Sequence, residues 1–244
     1  MEPATLALAP VDVPPPKPAP NLNPRPIARD AVDGRAGGAW IAALQGEIQR
    51  TTIARDPIDE RAGQDWIEIL QGVIQRQRPH LARHQLNVAR LAHRMGRELK
   101  LNRDRHDVLV WAAELHDVGL VAIAEEPGDR PAPLSDPERN LTHASPVSAE
   151  RLISRAPSMI PVARLVRSTR ERWDGGGHPD GLKRTEIPLG SRVIAICDAY
   201  DELTTELPYG PGMPRPDAIA MLRSEAGTRL DPGLVELFAL VSAG

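Results

Sequence analysis

Apolar residues recur along most of the chain at spacings of three and four, the period of an amphipathic helix. From His80 onward the pattern predicts helices over 80–99, 104–117, 146–155, 159–173, 190–206, 215–227 and 231–242. A loop rich in proline and acid (125–136) and one dense in Gly and Pro (174–189) interrupt them. No useful length alternates between apolar and polar residues, as a half-buried strand would. The expected fold class is all-α.

Upstream the chain repeats itself. Residues 27–50 and 53–76 are identical at 16 of 24 positions with an offset of 26, which marks a duplication. In the second copy Trp66, Ile69, Leu70, Val73 and Ile74 share one helical face. The first copy keeps Trp40, Leu44 and Ile48 but has Glu47 in place of Val73. Two amphipathic helices are expected, each opened by an acidic or turn-forming stretch at 30–33 and 56–60. Two repeats are too few to bury a core of their own. The helices therefore pack on the main domain or a second subunit, or serve as duplicated partner-binding helices, the first copy being the freer. Residues 1–26 hold nine of the 25 prolines and no aromatic, so a disordered, polyproline-II-like arm is expected there. The expected organisation is a Pro-rich arm (1–26), a duplicated helix (27–76) and a helical domain (77–244).

Composition narrows the function classes. With 30 basic and 33 acidic side chains in 244 residues, net charge -3, the chain is not built mainly to grip a nucleic acid duplex or an anionic membrane. The lone Cys197 excludes an intramolecular disulfide framework and a cysteine-based zinc cluster. No run of 18 apolar residues occurs, and the N-terminus lacks the basic start and apolar core of a secretory signal. A cytoplasmic location is expected.

Candidate chemistry comes from polar residues set inside apolar helices. His84 shares a face with Val88, Leu91 and Met95; His116 and Asp117 end the run VLVWAAELHD; Asp198 follows Val193, Ile194, Ile196 and Cys197. A carboxylate there is costly to bury unless a cation or several donors meet it. Imidazole with carboxylate suits Zn, Mn, Fe or Ni.

HxxxVARLA around His84, ELHDVG at 114–119, the block RERWDGGGHPDGLKRTEIPLGSRVIAICDAYDELTTELPY and EAGTRLDPGLVELF together resemble an HD-GYP domain, from about residue 80 onward. That is the branch of the HD-type metal phosphohydrolases associated with cyclic di-GMP hydrolysis. The resemblance implies a helical domain with divalent metal between its helices. It carries the first metal position onto His84, His116, Asp117 and Asp198, a bridging role onto Asp117, and a further ligand onto His143. In an active site of this kind Asp117 and Arg172 would be catalytic. Arg172, Asp174, Gly177, His178, Pro179 and Lys183 would face substrate.

The departures are as informative. Where the family has two adjacent histidines before its Glu-Arg, this chain has Thr169 and Arg170. The family's lysine after HD-x-G is Leu120, its GYP tyrosine is His178, and Leu207 and Gly210 flank Pro208-Tyr209 where arginines are usual. His80 lies where some members hold a further ion with Glu. Thr and Arg supply no ligand, and Leu and Gly cannot bond an anion with charge assistance. One tightly bound ion is expected instead of two.

Three readings follow. The first is a degenerate domain acting in signalling or as an interaction module, with little or no cyclic di-GMP hydrolysis. The second is an active phosphodiesterase. The third is a mononuclear phosphohydrolase on another nucleotide, since His, His-Asp, Asp is the ligand set of simpler HD enzymes. The resemblance implies a diguanylate cyclase or other signalling protein as partner, meeting residues 27–76 or the Gly177-His178-Pro179 loop. Self-association is a further expectation.

Overall fold

The computed structural model describes residues 60–122, 136–206 and 211–242. The Pro-rich arm, the first repeat copy, the start of the second and residues 207–210 lie outside the described residues.

Eight α-helices form the described domain: α1 (Glu60–Gln77), α2 (Pro79–Glu98), α3 (Arg103–Leu115), α4 (Asp136–Ile153), α5 (Ile160–Arg167), α6 (Leu189–Thr204), α7 (Arg215–Glu225) and α8 (Pro232–Val241). Among the described residues there is no strand, only an isolated bridge between Ala226 and Leu230. The all-α expectation holds. No helix among the described residues is long and apolar enough to cross a membrane.

The helix pair α2/α3 is the frame. Proline opens α2 at its first turn, where a missing N–H costs nothing. Its buried face is small, with Ala82, Val88, Ala89, Ala92 and Gly96, so α3 approaches closely through Ala112 and Ala113. A Cβ on Gly96 would stand 2.5 Å from His106 of α3, so the pair requires glycine there. Asn102 caps α3 by accepting from the Arg105 N–H at 3.0 Å. Helix α6 crosses the pair and is buried almost all round, the signature of a central helix. Helix α8 packs on it, started by Asp231, which accepts from the N–H groups of Gly233 and Leu234.

Two boundaries differ from the sequence expectation by more than two residues. Helix α4 starts ten residues before 146 and carries Pro146 inside it, although proline normally opens a helix. Helix α5 ends at Arg167, not at 173. Ser168, Thr169 and Glu171 continue as turns, and the Thr169 hydroxyl donates to the Val166 carbonyl at 2.9 Å. Thr169 and Arg170 thus sit on a tight turn aimed at α6.

Candidate metal centre

His84 projects from the second turn of α2, His116 caps the end of α3, Asp117 follows it, and Asp198 and Asp201 lie one turn apart on α6. His84, His116 and Asp117 bring one ligand atom each within 4.8 Å of one another. Asp198 completes the group: its Oδ1 lies 3.0 Å from His84 Nε2 and 3.5 Å from His116 Nε2. The sequence-predicted set of four therefore converges.

Hydrogen bonds on the far side of each ring decide which nitrogen faces inward. The Nδ1 of His116 donates to the Ala113 carbonyl at 2.8 Å, so its Nε2 carries the lone pair. That Nε2 is buried without a hydrogen-bond partner, 3.4 Å from an Asp117 oxygen. The Nδ1 of His84 bonds Asp201 Oδ2 at 2.7 Å, again turning Nε2 inward. Two lone pairs facing two carboxylates is a repulsive arrangement unless a cation or an added proton stands between them. The donor set fits a divalent ion on this ground, and Asp201 is the outer partner that orients its ligand.

Without an ion, protons take that role. Burial opposes charge on His84, yet its bonds to Asp198 and Asp201 raise its pKa to about 10. Burial likewise opposes charge on His116, but the Asp117 and Asp198 carboxylates raise its pKa. Burial would push both aspartates up, but the Arg170 guanidinium and the histidines hold Asp117 low and Asp198 well below the carboxylate range.

Arg170 is the decisive departure. Its guanidinium donates to Asp117 Oδ1 at 2.8 Å and to Asp198 Oδ2 at 3.4 Å. These are the outer oxygens of the two carboxylates; the inner ones, Asp117 Oδ2 and Asp198 Oδ1, face the histidines. A fixed cation thus lies against both carboxylates on the side away from the histidines.

The remaining candidates lie around a neighbouring loop. His143 is exposed on α4 and stacks its ring on His178, with centroids 4.1 Å apart. The His178 Nε2 is buried without a partner, and burial, His143 and Arg170 together favour its neutral form. Arg172 is bound in bidentate fashion by Asp174 at 3.1 and 2.6 Å, which also holds the Asp174 carboxyl down at about 2. Gly177 must be glycine, because a Cβ would collide with the backbone of Glu171 and Arg172. Lys183 lies across Gly175, and His80 is exposed at the start of α2. Leu120 follows the centre on a 3-10 turn.

Three supporting residues escaped the sequence reading. Asp201 carried a signal, standing three positions after Asp198 in a buried helix. Glu171 accepts from the N–H groups of Asp180, Gly181 and Leu182 at 2.7, 3.1 and 3.0 Å, and so folds the loop around itself. Gln85, oriented to satisfy both neighbours, donates to the Glu114 carbonyl and accepts from the Asp117 N–H, each at 3.1 Å.

Comparison with known proteins places the chain in a family and a fold. The family model described as an HD domain matches residues 68–234. A cyclic di-GMP phosphodiesterase of Thermotoga maritima is 30% identical over 158 residues, 64% of this chain and 43% of that protein. A 3'3'-cGAMP-specific phosphodiesterase 3 of Vibrio cholerae is 30% identical over 154 residues, 63% of this chain and 34% of that protein. The chain thus spans less than half the length of these curated relatives. In fold, Bd1817, an HDG"Y"P protein from Bdellovibrio bacteriovorus, matches with a TM-score of 0.57 at 15% identity, covering 88% of this chain and 75% of that one. The chain belongs to the HD domain family.

Proposed function

We propose that this domain holds one divalent ion on His84, His116, Asp117 and Asp198, and acts in cyclic-dinucleotide-related signalling or as an interaction module with little or no cyclic di-GMP hydrolysis. One observation carries the reading: Arg170 spans the outer oxygens of Asp117 and Asp198. A second cation there would meet a permanent positive charge, and guanidinium does not give up its proton in proteins.

A bound ion would supply Lewis acidity toward a phosphoryl oxygen and a water of lowered pKa. The chain's own residues orient and screen that position. Asp201 and the Ala113 carbonyl fix the two imidazoles, and Arg170 neutralises one carboxylate charge. Phosphate contacts are sparse: Leu120 replaces a lysine, and Arg172 is already paired with Asp174. Loss of one preorganised donor costs about 10²–10³ in rate, so these absences weigh heavily against efficient turnover.

The inward set of two imidazole nitrogens and two carboxylates also favours a second reading, a mononuclear phosphohydrolase acting on another nucleotide. Elemental analysis of protein purified without chelator, with a turnover screen on cyclic di-GMP, 3'3'-cGAMP and linear nucleotides, separates the readings. One equivalent of metal without turnover supports the module. One equivalent with linear-nucleotide turnover supports the second reading. Cyclic di-GMP turnover at about 1 per second or faster overturns both.

A further inference from the structure

The duplicated segment gains meaning once the burial of α1 is known. Gly63, Ile67, Leu70 and Ile74 are buried on α1, and Trp66 packs half-buried beside them. Twenty-six positions earlier stand Gly37, Ile41, Leu44, Ile48 and Trp40, the same residue in every case. Between 63 and 76 the copies differ at Gln64, Asp65, Glu68, Ile69 and Val73. The first four are exposed and Val73 is half-buried. Their counterparts are Gly38, Ala39, Ala42, Ala43 and Glu47.

Every buried position of α1 between 63 and 76 therefore keeps its residue in the first copy, while four of the six exposed positions there differ and only Gln75 and Arg76 do not. Gly63 abuts Trp111 and Met159, which an added Cβ would touch at 3.4 Å, and the first copy also has glycine at this position, Gly37. Gln71 hydrogen-bonds Glu114, and Gln45 preserves the amide. A helix free to bind an unrelated surface has no reason to keep each of these contact positions.

We propose that residues 37–50 are a second occupant of the α1 seat, docking against α2 and α3 of the same chain in exchange for α1. The connection favours the same chain. Only Arg78 separates α1 from α2, so an outside helix must displace a tethered one. The 28 residues from 51 to 78 let the first copy reach the seat at an effective concentration on the order of millimolar, which a second chain at micromolar levels does not match. Loop closure rises only slowly with such length.

The exchange would be felt at the metal centre and on the surface. Glu114, bonded from the seat, lies two residues before His116, and its carbonyl accepts from Gln85, which also bonds Asp117. Outside, the seated first copy shows alanines where α1 shows Glu68 and Ile69, and releases the more apolar copy to bind elsewhere.

Full-length variants test this by thermal unfolding and light scattering. Ile67→Glu with Leu70→Glu disables the second copy, Ile41→Glu with Leu44→Glu the first, and a quadruple variant both. Each single-copy variant is expected to keep the parent's oligomeric state and to melt within a few degrees of the parent. The quadruple variant is expected to melt about 10 °C or more lower. If Ile67→Glu with Leu70→Glu falls as far as the quadruple variant, the first copy cannot take the seat and the proposal is wrong. Survival only in a larger assembly than the parent's would overturn exchange within one chain, and a quadruple variant as stable as the parent would show that the seat needs no occupant.

Discussion

Replacing Arg170 by Met isolates the role of the guanidinium. Its side chain is 25% exposed, while Asp117 and Asp198, which it joins, are 7% and 6% exposed. Removing one partner of a buried ion pair costs about 3–5 kcal/mol, since the two carboxylates keep only the histidines beside them. Partial exposure of Arg170 places the loss near the low end, about 3 kcal/mol. One kcal/mol moves the midpoint of a chain of 150–250 residues by about 2–4 °C, so R170M should melt about 6–12 °C lower in chelator. An excess of Mn²⁺ should restore much of the difference, because a divalent ion meets the same carboxylates. Calorimetry of both proteins with and without chelator measures this directly. A midpoint for R170M within about 2 °C of the parent in chelator would refute the idea that Arg170 balances the two aspartates.

Further outcomes follow from the same geometry. Thr169→His with Arg170→His should raise the metal content from one equivalent toward two by elemental analysis, while turnover stays low until Leu120→Lys adds a phosphate contact. Asp201→Asn should weaken metal binding by about 10–100-fold in a competition titration with little change in fold, because it frees the His84 ring to turn. The folded pKa of His84, about 10, lies above its unfolded value of about 6.5. The metal-free protein therefore draws stability from this proton fully below pH 6.5 and loses it as pH rises toward 10. Metal must displace the proton, so apparent affinity should rise across that window by up to tenfold per pH unit. Gly119→Ala should cost about 1–3 kcal/mol in chemical unfolding, because its Cβ would collide with the Ser145 carbonyl that packs α4 beside the centre.

Much of this protein was legible in its sequence, because helix period and burial are local properties. Val88, Ala92 and Met95 recur at helical spacing on α2, and the same face delivers His84 to the interior. The order His, His-Asp, Asp inside apolar runs marks a metal site for the same reason: ionisable groups are not buried without compensation. The absence of His at 169 and 170 was equally readable. Tertiary structure alone decided what replaced it. Arg170 could have pointed to solvent, and only the turn after α5, ending the helix at Arg167 instead of 173, aims it across α6 at both aspartates. The same holds for Asp201 and Glu171, whose partners lie 117 and about ten residues away, beyond any periodicity. Nor could the repeat explain itself, since a duplicated helix looks alike whether its shared residues face solvent or core. Burial on α1 separates the two, because close packing tolerates no change at the contact positions while the exposed positions are free to drift.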